Sequence, residues 1–180
     1  MKSTVFRYGI YGALAILFFL SVHFFLIMPN AGYEVQEAFG YLTIFISMIF
    51  VFLGIRHYRN HFNGGFLSFG EGFKIGILIV LIPAVFFGLF DILYTEVINP
   101  SWSDDYYSHF AEKLKASTPP EKLDKALSEL KSNKELFDNP VMSFLLMAAT
   151  VLIIGIIVTI ISALALMRRK KKPGLELGTK

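Results

Sequence analysis

The sequence predicts an all-α protein: a four-transmembrane-helix bundle with a short two-helix extracytoplasmic cap between helices three and four. Hydrophobic residues make up 54% of the chain and charged residues 17%, whereas a soluble domain carries about 25% charged residues. Four apolar runs each reach about 18 residues or more, enough to cross a hydrocarbon core about 30 Å thick. A polar, amphipathic segment separates the last two runs. We therefore expect residues 1–180 to form a single integral membrane domain.

The four predicted transmembrane helices are all expected to remain in the protein. They cover about residues 8–28, 38–55, 73–94 and 141–167. The first follows Lys2 and Arg7, as a signal peptide would, but its apolar part is about 20 residues long where a signal peptide has roughly 7–15. The fourth carries Gly155, Thr159 and Ala163 at four-residue spacing, a small-residue face suited to close helix packing.

Lysine and arginine are distributed unevenly over the segments that flank these helices. They occur before helix one, between helices two and three, and after helix four, whereas the loop between helices one and two has two acids, Glu34 and Glu37, and no basic residue. Residues 95–140 hold six lysines, but these are spread among nine acids, and long translocated segments count little in setting the orientation. Because cytoplasmic flanks carry the excess of lysine and arginine, both termini should be cytoplasmic, including the basic tail 168–180, and residues 95–140 should be extracytoplasmic. The expected location is the cytoplasmic (inner) membrane of a bacterium. The basic flanking residues are Lys2, Arg7, Arg56, Arg59, Lys74 and the RRKKK run 168–172.

The predicted extracytoplasmic segment, residues 95–140, contains two amphipathic helices. Ser103 is the expected N-cap of the first, and the two aspartates that follow it suit a helix N-terminus. Thr118 and Glu121 have the spacing of a capping box for the second, with Pro119 at the first helical position. We expect the segment to be a helical cap on the outer ends of the bundle. A lid over a ligand and partial disorder are the alternatives.

A segment rich in glycine and phenylalanine, FNGGFLSFGEGFKIG (62–76), joins helices two and three. Its phenylalanines recur every three or four residues and would form one stripe on a helix, which favours packing at the cytoplasmic membrane interface. In the alternative, Gly72 and Gly76 let a neighbouring helix approach closely. A phosphate-binding loop is disfavoured, because the glycine pair follows no strand and GK[ST] is missing. The phenylalanines are Phe62, Phe66, Phe69 and Phe73.

Two short elements in this region carry a family resemblance. The first has the pattern Gly-[IV]-Arg-x-[YH]-[RK] and consists of Gly54, Ile55, Arg56, Tyr58 and Arg59. The second has the pattern Gly-Gly-x-[IL]-[ST]-Phe-Gly and consists of Gly64, Gly65, Leu67, Ser68, Phe69 and Gly70. Together they resemble the DUF4199 family of small bacterial membrane proteins, a domain of unknown function. The resemblance extends over nearly the whole chain, and it implies the four-helix fold and topology but no particular activity.

Few residues are candidates for a functional site. His23 and Asp91 are the ionisable groups inside the apolar runs, where such groups are functional candidates by default. Both lie toward the outer ends of their helices, so we expect them to approach each other; otherwise Asp91 reaches headgroup water and His23 faces a carbonyl. His57 and His61 have a spacing that can bind a metal on a helix, but a third ligand is missing, and contact with headgroups is favoured. The other candidates, structural or functional, are Arg56, Arg59, Gly64, Gly65, Ser68, Phe69 and Glu71.

The sequence predicts no catalytic, cofactor-binding or metal site. It has no cysteine and no evident pair of nucleophile and base, which disfavours an intramembrane enzyme. A small carrier or channel component is the alternative, but it needs polar groups at mid-depth on several helices, where only Ser47 and Thr150 occur. We therefore expect an interaction or structural role without catalysis. The expected partners are the lipid bilayer, anionic lipid headgroups at the cytoplasmic rim, and a membrane-protein partner or homo-oligomer; nucleic acid is not expected.

The predicted orientation can be tested with single cysteines, because the wild-type chain has none. In intact cells, Ser132→Cys should react with a membrane-impermeant thiol reagent and Ser3→Cys should not, since only the first would face the outside. The reverse pattern would mean that the orientation is inverted.

Overall fold

The computed structural model describes residues 1–28 and 30–168, and within these ranges the protein is helical, without a β-strand. The predicted basic tail beyond Arg168 lies outside the described residues. The helices are α1 (Lys2–Val22), α2 (Tyr33–Ser47), α3 (Ile49–His61), α4 (Phe69–Leu93), α5 (Trp102–Ser117), α6 (Pro120–Phe137) and α7 (Pro140–Leu166). Two π-helical turns extend α1 and α4, namely His23–Ile27 and Tyr94–Ile98.

Four helical stretches are long and apolar enough to cross a membrane, which confirms the number and order of the predicted spans. They are Lys2–Ile27, Tyr33–His61, Phe69–Ile98 and Pro140–Leu166. The second is longer than its apolar run 38–55, because polar residues continue the helix at both ends. It consists of α2 and α3, which meet at Met48. There the hydroxyl of Ser47 donates a hydrogen bond to the carbonyl of Ile44 (2.7 Å).

The turn between α3 and α4 contradicts the prediction of a single phenylalanine stripe. Gly64 and Gly65 have positive φ angles of 59° and 81°, a backbone conformation that glycine adopts without steric cost. The chain reverses there, and α4 starts afresh with a capping box between Ser68 and Glu71. The prediction was wrong because these local turn and capping signals outweigh the helical spacing. Phe62 and Phe66 precede α4, whereas Phe69 and Phe73 lie on it.

Helices α5 and α6 pack against each other as a hairpin, and α6 also contacts α7. Both predicted starts are one or two residues off. The N-cap of α5 is Ser101, and the hydroxyl of Ser103 donates instead to Oδ1 of Asp138 (2.6 Å). Helix α6 has Pro119 at its N-cap and Pro120 at its first position, so Thr118 does not cap it. The tandem prolines determine this start, because the residue before a proline is disfavoured in the α region, which keeps Pro119 (ψ 143°) out of the helix. Pro120 itself is tolerated at the first helical position, where its missing N–H would have no helical partner anyway.

The most extensive helix contact is between α4 and α7, and small residues form it. Along α4, Gly72 and Gly76 face Ala163 and Thr159 of α7; further on, Gly155 of α7 faces Val80 of α4. The facing residues proceed in opposite chain directions, so the two helices are antiparallel. A Cβ on Gly72 would lie 3.1 Å from the Cβ of Ala163, which leaves no free space. This confirms the predicted small-residue face of α7 and supports the helix-contact alternative for Gly72 and Gly76.

The core lies where α2, α3, α4 and α7 meet, and the outer surface of the helices is apolar. Helix α1 packs on α3 and α4, and α3 packs on α7. The outward side chains include Phe6 (65% exposed), Phe18 (64%) and Phe25 (80%). Exposed aromatic side chains in this number suit contact with lipid rather than water. The fully buried hydrophobic residues of the core include Met48, Val51, Ile55, Ile75, Ile79, Val80 and Val151.

The contact between α4 and α7 predicts different effects on stability for two glycine-to-alanine changes in α4. In Gly76→Ala the new methyl group would meet the side chain of Thr159, with its Oγ1 at 2.8 Å. Relieving that overlap should lower the free energy of unfolding by about 1–3 kcal/mol. Gly70→Ala is the matched control, because no atom lies within 4 Å of its Cβ, and it should be neutral or stabilising by up to about 1 kcal/mol. Unfolding of both variants in mixed detergent micelles measures the difference; equal stabilities would contradict the contact.

Candidate functional site

Arginines from several elements meet at one end of the helices. The guanidinium of Arg7 in α1 donates to Nε2 of His57 in α3 (2.7 Å). Arg59 donates to the carbonyl of Leu166 at the end of α7 (3.3 Å), and Arg56 is exposed. We call the group the arginine rim; it consists of Arg7, Arg56, Arg59 and Arg168. The predicted cytoplasmic flanks of three spans therefore lie at the same end of the structure.

The loop between α3 and α4 lies beside this rim. Leu67 is buried and exchanges two backbone hydrogen bonds with Arg168 (3.0 and 2.8 Å). Of the predicted site residues here, Gly64 and Gly65 form the turn and Phe69 stacks on Phe73 with ring centroids 5.9 Å apart. Ser68 and Glu71 are brought together by the capping box. Each of these residues thus has a visible structural role.

His57 and His61 stack on each other, with ring centroids 4.3 Å apart. In residues 1–28 and 30–168 no group of three or more His, Cys, Asp or Glu side chains could hold a metal ion. Together with the bond to Arg7, this arrangement makes the two imidazoles polar packing groups of the arginine rim.

A cavity of about 330 Å³ lies at the opposite end of the helices, next to the α5–α6 hairpin. Half of its lining residues carry aromatic rings, and they come from the first π-helical turn, α2, α4, the second π-helical turn, α5 and α6. His23 and Asp91, the two ionisable residues predicted inside the apolar runs, both line it. We call this space the aromatic cavity.

Neighbouring rings in the wall of the aromatic cavity contact one another across several elements. Phe24 and Tyr94 have centroids 4.9 Å apart, and Tyr94 is 6.3 Å from Trp102. Trp102 stacks on Tyr106 at 4.9 Å, and Tyr106 meets Tyr33 edge to face at 5.4 Å. Aromatic pairs at these distances add about 0.5–1.5 kcal/mol each beyond their burial. The rings therefore connect α5 to the ends of the spans.

Asp91 and His23 line the same cavity but do not bond to each other. Oδ2 of Asp91 accepts a hydrogen bond from the hydroxyl of Ser143 in α7 (2.5 Å). The ring of His23 contacts Phe24 and Phe39, at 5.6 and 5.9 Å. The expectation that the two share one end of the helices agrees with the structure. The expected contact is absent from the described residues, where Oδ2 of Asp91 bonds to Ser143 instead.

Ion pairs link the α5–α6 hairpin to α2 and link its own two helices. Lys113 of α5 pairs with Glu34 at the start of α2. Lys134 of α6 pairs with Asp138 (2.5 Å) and Asp104 (3.0 Å), and its hydrogen bonds to these carboxylates, first that to Asp138, raise its pKa above the usual lysine range. Lys134 therefore stays charged at any physiological pH.

Tyr107 of α5 is the buried residue of the hairpin, 8% exposed. Burial, with smaller contributions from Tyr106 and Asp138, raises its pKa to about 12. Its phenol is therefore neutral, which suits a position in the wall of the aromatic cavity. Nothing in the local sequence marks Tyr107 as part of a cavity wall.

Sequence reasoning missed most of the cavity wall. Ser143 and Trp102 received no role, Tyr106 was not considered, and Glu37 served only to assign orientation. The available signal was the density of aromatic residues in WSDDYY (102–107) and in the stretch 86–94, which contains Asp91. That signal does not say which rings face one another.

Fold and cavity define an all-helical protein with four helices able to span a membrane. A family model described as "Protein of unknown function (DUF4199)" matches residues 7–168. The chain therefore belongs to this family, as the two sequence elements around the α3–α4 turn indicated. Neither the curated proteins nor the solved structures contain a match to the chain.

A double-mutant cycle can test the partner of Asp91. Asp91→Ala and Ser143→Ala should be coupled by about 0.5–3 kcal/mol in unfolding free energy, because one hydrogen bond joins the two side chains. Asp91→Ala and His23→Ala should be additive within about 0.5 kcal/mol, because no direct contact joins them. Additivity in the first cycle, measured by unfolding in detergent, would contradict the observed hydrogen bond.

Proposed function

We propose that this chain is a non-catalytic, ligand-binding protein of the bacterial cytoplasmic membrane, with the α5–α6 hairpin as an outer cap and the aromatic cavity as its binding site. The observation that carries the proposal is the cavity itself. A space of about 330 Å³ falls within the roughly 300–1,000 Å³ of small-molecule sites. A wall of rings with a few polar groups is the usual composition of such sites.

The arrangement of the two ends supports the proposed orientation. The arginine rim collects the predicted cytoplasmic flanks, and the aromatic cavity lies at the other end with the hairpin. In this proposal Arg56 and Arg168, both exposed, face anionic lipid headgroups of the inner leaflet, each contributing about 1 kcal/mol. The four spans cross the membrane as one bundle, and a second copy or another membrane protein is a possible neighbour of the apolar outer surface.

Binding accounts for the described residues better than transport does. Val51, Ile79 and Val151 are fully buried in the core, and a carrier needs polar groups along the path at that depth. The polar groups of the cavity lie toward one end instead. The aromatic cavity is thus the proposed site of the interaction role that was expected from the sequence. A carrier is the second candidate function.

The proposed site can be tested by filling the cavity. Gly40 lines it, and no atom lies within 4 Å of a Cβ placed there, so Gly40→Phe has room to occupy the space. Native mass spectrometry of protein purified in nanodiscs should detect a bound small molecule on the wild type that is lost in Gly40→Phe, because the new ring takes its place.

Gly70→Phe is the matched control, since Gly70 is equally open but lies on the first turn of α4, away from the cavity. It should keep the bound molecule. If the wild type and Gly40→Phe carried the same bound masses, with both folded as judged by thermal melts, the proposed binding function would be refuted.

A further inference from the structure

The charged groups of the aromatic cavity are of one sign. Among the described residues that line it there is no lysine or arginine, and the two charged side chains are Glu37 and Asp91. The other ionisable groups that line it are the imidazole of His23 and several tyrosines. Two lysines of the hairpin are engaged in ion pairs, Lys113 with Glu34 and Lys134 with Asp138. The cavity therefore favours a positively charged occupant.

One carboxylate oxygen of Asp91 is not engaged in a hydrogen bond within the described residues. The Oδ2 atom accepts the hydrogen bond from Ser143, while Oδ1 has no hydrogen-bond donor among the described residues. The carboxylate is partly buried, and a buried charge is costly unless it is paired. It borders both the aromatic cavity and a second cavity of about 210 Å³ that contains Lys134. Because Lys134 is held by Asp104 and Asp138, Asp91 lacks a cation of its own.

The rings provide the second element of a cation site. Trp102 and Tyr106 stack with an angle of 23° between their planes, and Tyr33 stands at 85° to Tyr106. The ring planes in the wall thus have two nearly perpendicular orientations. A cation within about 6 Å of an aromatic face gains about 0.5–2 kcal/mol, most of all over tryptophan. Perpendicular ring faces can contact the alkyl groups of one ammonium ion from two sides.

We infer that the aromatic cavity binds a small organic cation, an ammonium group carrying alkyl substituents, with Asp91 and Glu37 as its counter-charges and Trp102 and Tyr106 as its aromatic wall. This inference rests on the proposed binding function and specifies its ligand class. A metal ion does not fit, because it needs several oxygen or nitrogen ligands and the described residues offer no such group. A neutral apolar ligand fits the rings but would leave the partly buried charge of Asp91 without a counter-ion.

The volume limits the size of this cation. About 330 Å³ lies at the lower end of the range for small-molecule sites, so one compact head group fits and a complete two-chain lipid does not. Glu37 and Tyr41 are exposed at the edge of the cavity, where an attached chain could leave. A free alkylammonium compound and the head group of a lipid share this chemistry.

The single tryptophan of the chain, Trp102, reports directly on the cavity. Choline chloride should change its emission saturably in full-length protein in nanodiscs. The matched control is 3,3-dimethylbutan-1-ol, which has the same shape without the charge, titrated at equal ionic strength. It should bind at least about tenfold more weakly, the equivalent of about 1.4 kcal/mol. Nanodiscs with and without phosphatidylcholine distinguish a lipid head group from a free compound, since the lipid would compete with choline.

Three variants test the counter-charges. Asp91→Asn and Glu37→Gln keep the side-chain shapes and should each weaken choline binding by about tenfold, since each removes one charge from the site. Glu37 lies at the exposed edge of the cavity, so Glu37→Gln still tests the counter-charges if Asp91→Asn does not fold. Glu129→Gln is the control, because Glu129 lies on α6, pairs with Lys125 (3.8 Å) and does not line the cavity. It should bind choline as the wild type does.

Any of three results would overturn the cation assignment while leaving the binding function intact. One is equal binding of choline and its neutral isostere. The second is wild-type affinity in both Asp91→Asn and Glu37→Gln. The third is no response to choline, together with a bound molecule that Gly40→Phe removes. If Gly40→Phe removes nothing, the proposed binding function itself fails, so the two hypotheses fail by different measurements.

Discussion

The close approach of α4 and α7 is the constraint on which the rest of the structure depends. Lipid is as apolar as leucine, so transmembrane helices gain little by hiding hydrophobic side chains from it and associate instead through tight packing. Gly76 against Thr159 and Gly155 against Val80 provide this packing. At one end of the helix pair, it places Leu67 and Arg168 within hydrogen-bonding distance. At the other end it places Ser143 against Asp91.

Much of the fold could be predicted because hydropathy is a local property. The four spans follow from runs of apolar residues, and the small-residue face of α7 follows from its spacing. The turn at Gly64 and Gly65 was harder, since helical spacing of the phenylalanines and turn-forming glycines occur in the same 15-residue segment and give opposite predictions. The capping box of Ser68 and Glu71 favours the turn, because it satisfies backbone donors that a new helix leaves open.

The site was predictable only in part, because its residues are distant in the chain. Asp91 and His23 could be found in the sequence, because an ionisable residue within an apolar run is a local feature. The bond between Asp91 and Ser143 joins residues 52 positions apart, and no local pattern indicates it. In the sequence, Tyr106 lies in a predicted amphipathic helix, and Trp102 directly precedes the predicted N-cap of that helix. Their role in a shared wall depends on how α5 lies against Tyr33 and Tyr94.

The attachment of the α5–α6 hairpin has a thermodynamic consequence. Its ion pair between Lys113 and Glu34 is about half exposed on both sides (53% and 52%), and exposed pairs contribute about 0–1 kcal/mol. Most of the attachment therefore comes from ring contacts such as those of Trp102 and Tyr106. Apolar contact of this kind has a large heat-capacity signature and weakens on cooling. The hairpin should thus be held more loosely near 0 °C than at 30 °C, and salt should change its attachment little.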